Sequence, residues 1–350
     1  MVRHRYRADA AEILVVGAGI GGLFASRLLA RAGHDVTVVE RSPEAPRPGA
    51  GLVLSDAALR RLSDAGVPVA AISSPLAGLH VTGPDGRSRG GARHRSALAR
   101  AELVTALTDG LGRMVDLRFD TALHAVRQDA RAVHCRVGDR DRSFDFLVAA
   151  DGIRSTVRSA LAPHVPLRSA GQVCWRGIVP ERFGEAATEL WTGRERIGIV
   201  PLTDARSYVF VVRDAATAGD DLVPVDRVPD RDAAAVQALR DLPADALLRH
   251  ELWELDRPVW GASRVALLGD AAHAMTPNTG LGAALAVEDA AVLSATLHNG
   301  LAGAVDRYRR SRGVRARAAQ LASRVIGTFA HSRHPAADRL RRAMQLQHSV

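Results

Sequence analysis

Residues 13–16, Ile-Leu-Val-Val, form a continuous apolar run rich in β-branched side chains, the pattern of a parallel strand buried on both faces. Leu23, Leu28, Leu29 and the alanines between them continue at helical spacing as far as Gly33, a stop signal. Residues 36–39 make a second short strand that ends at Glu40, so the chain opens as strand, helix, strand, with the right-handed crossover of such units. Clusters of Gly, Pro and Ser at 42–51 and 84–91 mark loops. Helical periodicity covers 101–111, and 144–150 read as a strand running into Asp151-Gly152, followed by a helix over 155–161. From 173 to 212 the pattern changes to short β-rich runs at 177–179, 198–201 and 208–212, separated by turn residues. This predicts a mixed or antiparallel sheet in a second layer. Residues 264–268 return to the buried-strand pattern, 283–297 are helical, and from Ala304 onward the chain reads as a long Arg-rich helix.

Composition narrows the function classes. With 350 residues, 47% hydrophobic and 24% charged, the chain has an ordinary globular balance and can bury a large core. The formal charge of +9 invites a nucleic-acid reading, but its distribution argues against one. All 47 basic residues are Arg, and from Arg307 to the end there are 11 of them against one acid, Asp338. The rest of the chain is neutral, so no nucleic-acid partner is expected. The absence of Lys excludes a Walker-type phosphate loop, a Schiff-base enzyme and a Lys nucleophile. Cys135 and Cys174 are too few and too far apart for a metal site or a redox pair, so no metal is expected and a reducing, cytoplasmic setting is the default. Arg3, Arg5 and Arg7 before the apolar stretch at 13–30 imitate a signal peptide. Glycines at dinucleotide-motif spacing and Arg27 interrupt that stretch, and no apolar run reaches the ~18 residues of a membrane span.

The first chemical motif is Gly17-Ala18-Gly19-Ile20-Gly21-Gly22, with Glu40 lying 18 positions after Gly22. In such a G-x-G-x-x-G turn Gly17 permits the tight strand-to-helix turn, Gly19 lets backbone approach a pyrophosphate, and Gly22 lets helix pack close on strand. The helix N-terminus offers free N–H groups and positive dipole to phosphates, and Glu40 can accept from an adenosine ribose. This motif does not separate FAD from NAD.

Two further motifs follow: Asp151-Gly152-Ile153-Arg154-Ser155-Thr156-Val157-Arg158, and Gly269-Asp270-Ala271-Ala272-His273-Ala274-Met275-Thr276-Pro277, continuing through Asn278-Thr279-Gly280-Leu281-Gly282 to Val287-Glu288-Asp289-Ala290. Either Asp-Gly or Gly-Asp alone is a common turn. In this order, after the glycine motif, they resemble the single-component FAD-dependent aromatic hydroxylases, the p-hydroxybenzoate-hydroxylase-like monooxygenases. The resemblance spans roughly residues 11–297. Arg100-Ala101-Glu102-Leu103 is similar to that family's Arg-x-x-Leu segment at the FAD, with Arg95 as an alternative phase. Trp175-Arg176-Gly177 is similar to a segment of the salicylate- and urate-hydroxylase branch, and 198–201 followed by Tyr208 resembles the sheet bordering the substrate cavity.

The resemblance implies an α/β fold: a Rossmann-like FAD-binding domain from segments 10–70, 95–165 and 264–300, interleaved with a β-sheet substrate domain from 71–94 and 166–263, and a C-terminal helical segment over 301–350. It implies cofactor contacts at Gly17, Gly19, Gly22, Glu40, Arg41, Arg100, Asp151, Asp270, Pro277, Gly280, Leu281 and Gly282. Asp270 is placed to bond a ribityl hydroxyl, and N–H groups around Gly280 and Gly282 to face the flavin's N1–C2=O edge, where a helix N-terminus stabilises anionic charge. The family usually has Gln at position 281 and often Asn at 284; here they are Leu281 and Ala284, which leaves backbone contact only. Asp151 serves the cofactor indirectly or joins strand to helix, Arg158 pairs with a phosphate or lies at the surface, and His273 is expected packed and hydrogen-bonded rather than acting as a base. For the substrate end the candidates are Arg176, Arg196 and Tyr208, each able to meet an anionic or phenolic group.

The implied reaction is reduction of FAD by NADPH or NADH, addition of O2 to give a flavin C4a-hydroperoxide, and oxygen transfer to an aromatic or polyketide-like substrate by hydroxylation or epoxidation. The alternative on the same fold is an FAD-dependent reductase or dehydrogenase without oxygen insertion. A flavin halogenase is disfavoured by the missing Lys and the missing Trp-x-Trp-x-Ile-Pro stretch. From another class, the Arg-rich C-terminal helix can dock an acidic carrier protein, against the plainer expectation of a helix packed across the domain with a solvated basic face.

Overall fold

The computed structural model describes residues 10–43, 49–82, 88–90, 95–192, 195–218 and 230–331. Arg3, Arg5 and Arg7, parts of the loops expected at 42–51 and 84–91, and the tail beyond 331 lie outside the described residues.

The opening βαβ unit forms as its pattern predicts. Strand β1 (Glu12–Val16), helix α1 (Ile20–Arg31) and strand β2 (Asp35–Val39) lead into a six-stranded sheet of order β18-β19-β12-β1-β2-β8. The added strands are β8 (Asp116–Arg118), β12 (Phe146–Ala149), β18 (Gly261–Ala262) and β19 (Val265–Leu267), all parallel except β18 at the edge. The period-2 alternation of a strand divides β1 between two cores. Ile13 and Val15 join a helix-covered core with Leu23, Phe24, Leu103 and Leu293, while Leu14 and Val16 join Leu123, Val133, Cys135 and Phe144 on the other face.

The helix-covered side carries α1, α2 (Asp56–Asp64), α3 (Val69–Ile72), α4 (Arg100–Asp109) and α9 (Gly282–His298). Gly21 brings α1 down onto Leu268 and Ala286 of α9, where a Cβ would lie 2.5 Å from the Leu268 side chain. The other face is covered by an antiparallel meander, β9 (Leu123–Gln128), β10 (Val133–Val137) and β11 (Arg140–Phe144), with α5 (Thr156–Leu161) beside it. Sequence reading assigned nothing to the meander. Phe144, expected within a single strand over 144–150, ends β11, and the parallel strand begins only at Phe146.

The β-rich region forms a second, seven-stranded sheet of order β17-β13-β16-β15-β14-β5-β6. Its members are β5 (Leu79–Thr82), β6 (Ser88–Gly90), β13 (Leu167–Val179), β14 (Ala187–Trp191), β15 (Glu195–Pro201), β16 (Ser207–Asp214) and β17 (Leu248–Leu255). One face buries Val173, Trp175, Ile197, Ile199, Val209 and Val211 under α6 (Ala215–Ala218) and α7 (Asp230–Arg240). Alternation and antiparallel register then put Cys174, Arg176, Arg196, Tyr208, Phe210 and His250 on the opposite face. A small sheet of β3 (Gly51–Ser55), β4 (Ser73–Pro75) and β7 (Arg95–Ala99) joins the two halves, with Ala97, Ala99, Val200 and Tyr208 packed in one cluster.

After the four-residue α8 (Asp270–His273) and α9, the Arg-rich segment is the helix α10 (Ala304–His331). It crosses the molecule as a packing element. Ala304, Tyr308, Arg312, Ala316, Gln320 and Ser323 are buried along it, and Tyr308 meets Trp260 edge-on at 5.2 Å. Among the described residues no helix is long and apolar enough to cross a membrane.

Candidate cofactor and substrate site

The glycine turn uses each of its three motif residues differently. Gly17 has φ +103°, donates its N–H to Val39 O at 2.8 Å, and would push a Cβ into the Ala150 carbonyl. At Gly22 a Cβ would collide with the Gly17 carbonyl oxygen, so helix and strand are as close as backbone allows. Gly19 is different: its backbone is extended (φ −80°, ψ −179°), nothing lies within 4 Å of the position a Cβ would take, and α1 starts there without a side-chain cap. An uncapped helix N-terminus with open space before it can receive a phosphate. Glu40 accepts from Ala18 N–H and Ser42 N–H, both at 2.9 Å, so it ties the turn to the loop after β2 and only its remaining lone pairs are left for a further donor. Arg41 beside it is exposed.

Asp151 caps α5, its Oδ2 accepting from Thr156 N–H at 2.8 Å, while its Oδ1 is buried without a partner. Burial holds this carboxyl above the usual range against those hydrogen bonds. Arg158 is neither a phosphate partner nor a surface residue. It is 3% exposed and donates to the carbonyls of Ala271 (3.0 Å) and Ile153 (2.5 Å), stapling the Asp151 turn to the Asp270 turn. The segment's buried position on α5 decides this, and motif spacing carries no record of it.

Asp270 opens α8 after Gly269, whose φ of +57° only glycine adopts readily. The protein around the carboxyl pushes it up, and His273, Arg100 and Arg158 pull it back; yet the residue is exposed, so it lines an open recess within the fold. Arg100 reaches the same recess: burial and Arg176 lower its guanidinium, and Asp270 and Glu40 act the other way. One cation thus lies between the glycine turn, the Asp270 turn and the second sheet. Pro277 begins a short turn closed by Gly280 N–H to Pro277 O at 3.0 Å, with Gly280 left-handed at φ +63°. Leu281 then starts α9, again without a side-chain cap, and nothing lies within 4 Å of the positions a Cβ would take at Gly280 or Gly282.

On the second sheet, Arg176 is half-buried and its charge acts on the Tyr208 hydroxyl, whose ionisation burial makes harder. The Tyr208 ring lies against Gly51, where a Cβ would come within 2.5 Å of Cγ. Arg196 is brought to the same face but is already committed: it is 2% exposed, donates from Nε to Glu189 Oε1 at 2.6 Å, and bonds Asn278 Oδ1. Its partner Asn278 donates to Thr276 Oγ1 (2.8 Å) and Ser323 O (2.9 Å), so Arg196 locks the second sheet to the Pro277 turn and α10. Arg196→Met leaves Glu189 uncompensated at 15% side-chain exposure, and is expected to lower stability by about 3 kcal/mol in urea unfolding.

His250, which sequence reading missed, stands opposite Cys174 on β17, where burial and then Arg176 push its imidazole down to about 4. Its ring is neutral in the fold, while an unfolded His takes a proton near pH ~6.5. The depressed value means stability is present above that pH and is lost as pH falls toward the folded value. The wild type should therefore lose more unfolding free energy than His250→Leu between about pH 7.5 and pH 5. Equal losses would remove the buried neutral ring from the explanation. His273 is packed and hydrogen-bonded as its motif implies, 1% exposed with Nε2 2.5 Å from Asp289 Oδ2.

The FAD binding domain family matches residues 10–323 of the chain. The 2-heptyl-3-hydroxy-4(1H)-quinolone synthase of Pseudomonas aeruginosa is 36% identical over 81% of this chain and 79% of its own length. The aurachin C monooxygenase/isomerase of Stigmatella aurantiaca is 33% identical over 87% of this chain and 85% of its own. In three dimensions the chain superposes on Klebsiella pneumoniae HpxO complexed with FAD and uric acid with a TM-score of 0.83, at 24% identity, over 97% of this chain and 93% of that one, which shows the shared fold.

Proposed function

This chain belongs to the FAD binding domain family of single-component flavin hydroxylases, and from that premise we propose that it is an NAD(P)H-dependent monooxygenase that adds one oxygen atom of O2 to an electron-rich aromatic small molecule. The observation that carries this reading is the grouping of three open features around Arg100, on which the charges of Glu40, Asp270 and Arg176 all act: the uncapped start of α1 at Gly19 beside the Glu40 turn, the accessible Asp270 carboxylate, and the Arg176–Tyr208 face of the second sheet.

The residues present fit FAD. Open space stands at Gly19, Gly152, Gly280 and Gly282, and Asp270 accepts no hydrogen bond from the described residues. Gly17, Gly19, Gly22, Glu40 and Arg41 would hold the adenosine and phosphate end, Arg100, Asp151 and Asp270 the middle, and Pro277, Gly280, Leu281 and Gly282 the ring end. When bound, FAD supplies hydride acceptance from NADH or NADPH and activation of O2. The chain's own part is to bind, orient and exclude water. Uncapped N–H groups at the start of α9 stabilise negative charge at the ring edge, through backbone alone because Leu281 and Ala284 carry no amide. Tyr208, held protonated by burial, donates a hydrogen bond and is no base at neutral pH; Arg176 orients an electron-rich oxygen of the substrate. Segments 10–70, 95–165 and 264–300 form the cofactor-binding part, 71–94 and 166–263 the substrate part, and 301–350 a supporting tail. A soluble nicotinamide donor suits a cytoplasmic setting.

For substrate class we favour a bicyclic heteroaromatic of the quinolone type, because the 2-heptyl-3-hydroxy-4(1H)-quinolone synthase is 36% identical to this chain over 81% of its length. The test is NADH and NADPH oxidation by FAD-reconstituted protein with quinolones, hydroxybenzoates and urate offered singly. Stimulation by quinolones alone supports this class, and stimulation by hydroxybenzoate alone contradicts it. A reductase would oxidise the donor at the same rate with every aromatic.

A further inference from the structure

We propose that the buried chain His273–Asp289–Arg312 makes α10 part of the cofactor site, with all three as positioning residues that hold the Gly269-Asp270 turn in the orientation a ribityl chain requires. The proposal rests on the FAD reading above. Asp289 is wholly buried on α9, and its carboxylate gathers three donors, two from the ends of α8 and one from α10. Oδ2 accepts from Gly269 N–H at 3.1 Å and from His273 Nε2 at 2.5 Å, one on each side of Asp270, Ala271 and Ala272. Oδ1 accepts from Arg312 Nε of α10 at 2.7 Å. Both ends of the four-residue α8 are therefore fastened to one anion, and Gly269 is held at its left-handed φ immediately before the residue that faces the recess.

The arrangement is built for a fixed charge rather than for packing. Burial opposes protonation of His273, but Asp289 and Asp270 outweigh it and raise the ring above its ordinary value; His273 and Arg312 likewise lower Asp289 against its burial. Arg312 forks to a second carboxylate, donating from Nη1 to Glu288 Oε2 at 2.8 Å, which Arg315 also meets at 2.8 Å. Trp260 closes one side, its ring centroid 5.6 Å from that of His273 and 5.2 Å from that of Tyr308. Asp289 and Glu288 are thus both met by donors inside, and Asp270 is the carboxylate left over, with solvent access beside His273. A hydrophobic helix would have packed α10 equally well. A guanidinium bonded to two carboxylates fixes register as well as contact.

The test separates positioning from folding by comparing FAD with ADP, which occupies the Gly17–Gly22 end and does not reach Asp270. Asp289→Asn and Arg312→Lys are titrated with both ligands by fluorescence and calorimetry, with far-ultraviolet circular dichroism to show that they fold. Lysine keeps the charge of Arg312 but cannot bond both carboxylates. The expected result is FAD binding weakened at least about 10-fold in each variant, with ADP binding within about 2-fold of wild type and a shifted visible spectrum for the flavin that does bind. FAD affinity unchanged, or FAD and ADP weakened in equal measure, overturns the proposal. Should Asp289→Asn not fold, Arg312→Lys decides alone. A wild-type protein that binds neither ligand removes the cofactor reading itself, and one that binds ADP and FAD equally removes the role of Asp270.

Discussion

Gly19→Ala is expected to leave the apoprotein as stable as wild type, or more so by about 0.5 kcal/mol, while weakening FAD by about 100-fold, near 2.7 kcal/mol. The two effects have separate causes. The backbone at Gly19 is extended and suits any residue, and no atom lies within 4 Å of the added methyl, so the fold meets no clash. Alanine also restricts the unfolded chain, which favours the native state. The same empty space is where a pyrophosphate would approach the first N–H groups of α1, and a methyl there keeps it away. Gly22→Ala gives the contrast: its methyl meets the Gly17 carbonyl, so stability and affinity fall together, stability by about 2 kcal/mol. Denaturant unfolding of the apoproteins and fluorescence titration with FAD check both. Unchanged FAD affinity in Gly19→Ala would remove the glycine turn as the phosphate cradle.

Asp270→Ala should show the second large effect, again with affinity and stability moving apart. The protein around this solvent-accessible carboxyl raises it, so its ionised form at neutral pH is a small burden on the native state, reduced by solvent screening, that is relieved as pH falls through the folded value. Removing it is expected to leave the melting temperature of the apoprotein unchanged or higher. FAD binding should fall between about 10- and 100-fold, the loss of one hydrogen bond to a charged group. Asp270→Asn, which can still accept one such bond, should recover part of that loss. A functional carboxylate that weakens its own fold is a frequent trade at ligand sites. An apoprotein that unfolds more readily without Asp270, with FAD affinity intact, would make it a structural residue.

The elements that follow from short-range pattern were legible: β1, α1, β2 and α9 appear where apolar period and stop signals put them. The glycine turn was legible because its constraints are local, a left-handed φ at Gly17 and a close approach at Gly22. What stayed hidden depends on distant partners. The meander over β9–β11 alternates weakly, and its buried residues are defined only by the sheet they cover. Sequence leaves Arg158 as a phosphate partner or surface residue and Arg196 as a candidate at the substrate end, whereas each is fixed by an acceptor far along the sequence, Ala271 for one and Asn278 for the other. His250 gave no motif at all; its neutral ring follows first from burial and then from the charge of Arg176 on the neighbouring strand. The Arg-rich helix gave its charge but not its direction, and Arg312 points inward to Asp289.

The most direct test of oxygen insertion is mass spectrometry of product formed by FAD-reconstituted protein under isotope-labelled dioxygen, with NADH or NADPH and a quinolone-type substrate. One labelled oxygen atom per product molecule, formed in proportion to the donor oxidised, is the expected result. Donor oxidation with unlabelled substrate recovered, and all the label in peroxide or water under every aromatic tried, would contradict a monooxygenase and leave a flavin reductase on this fold.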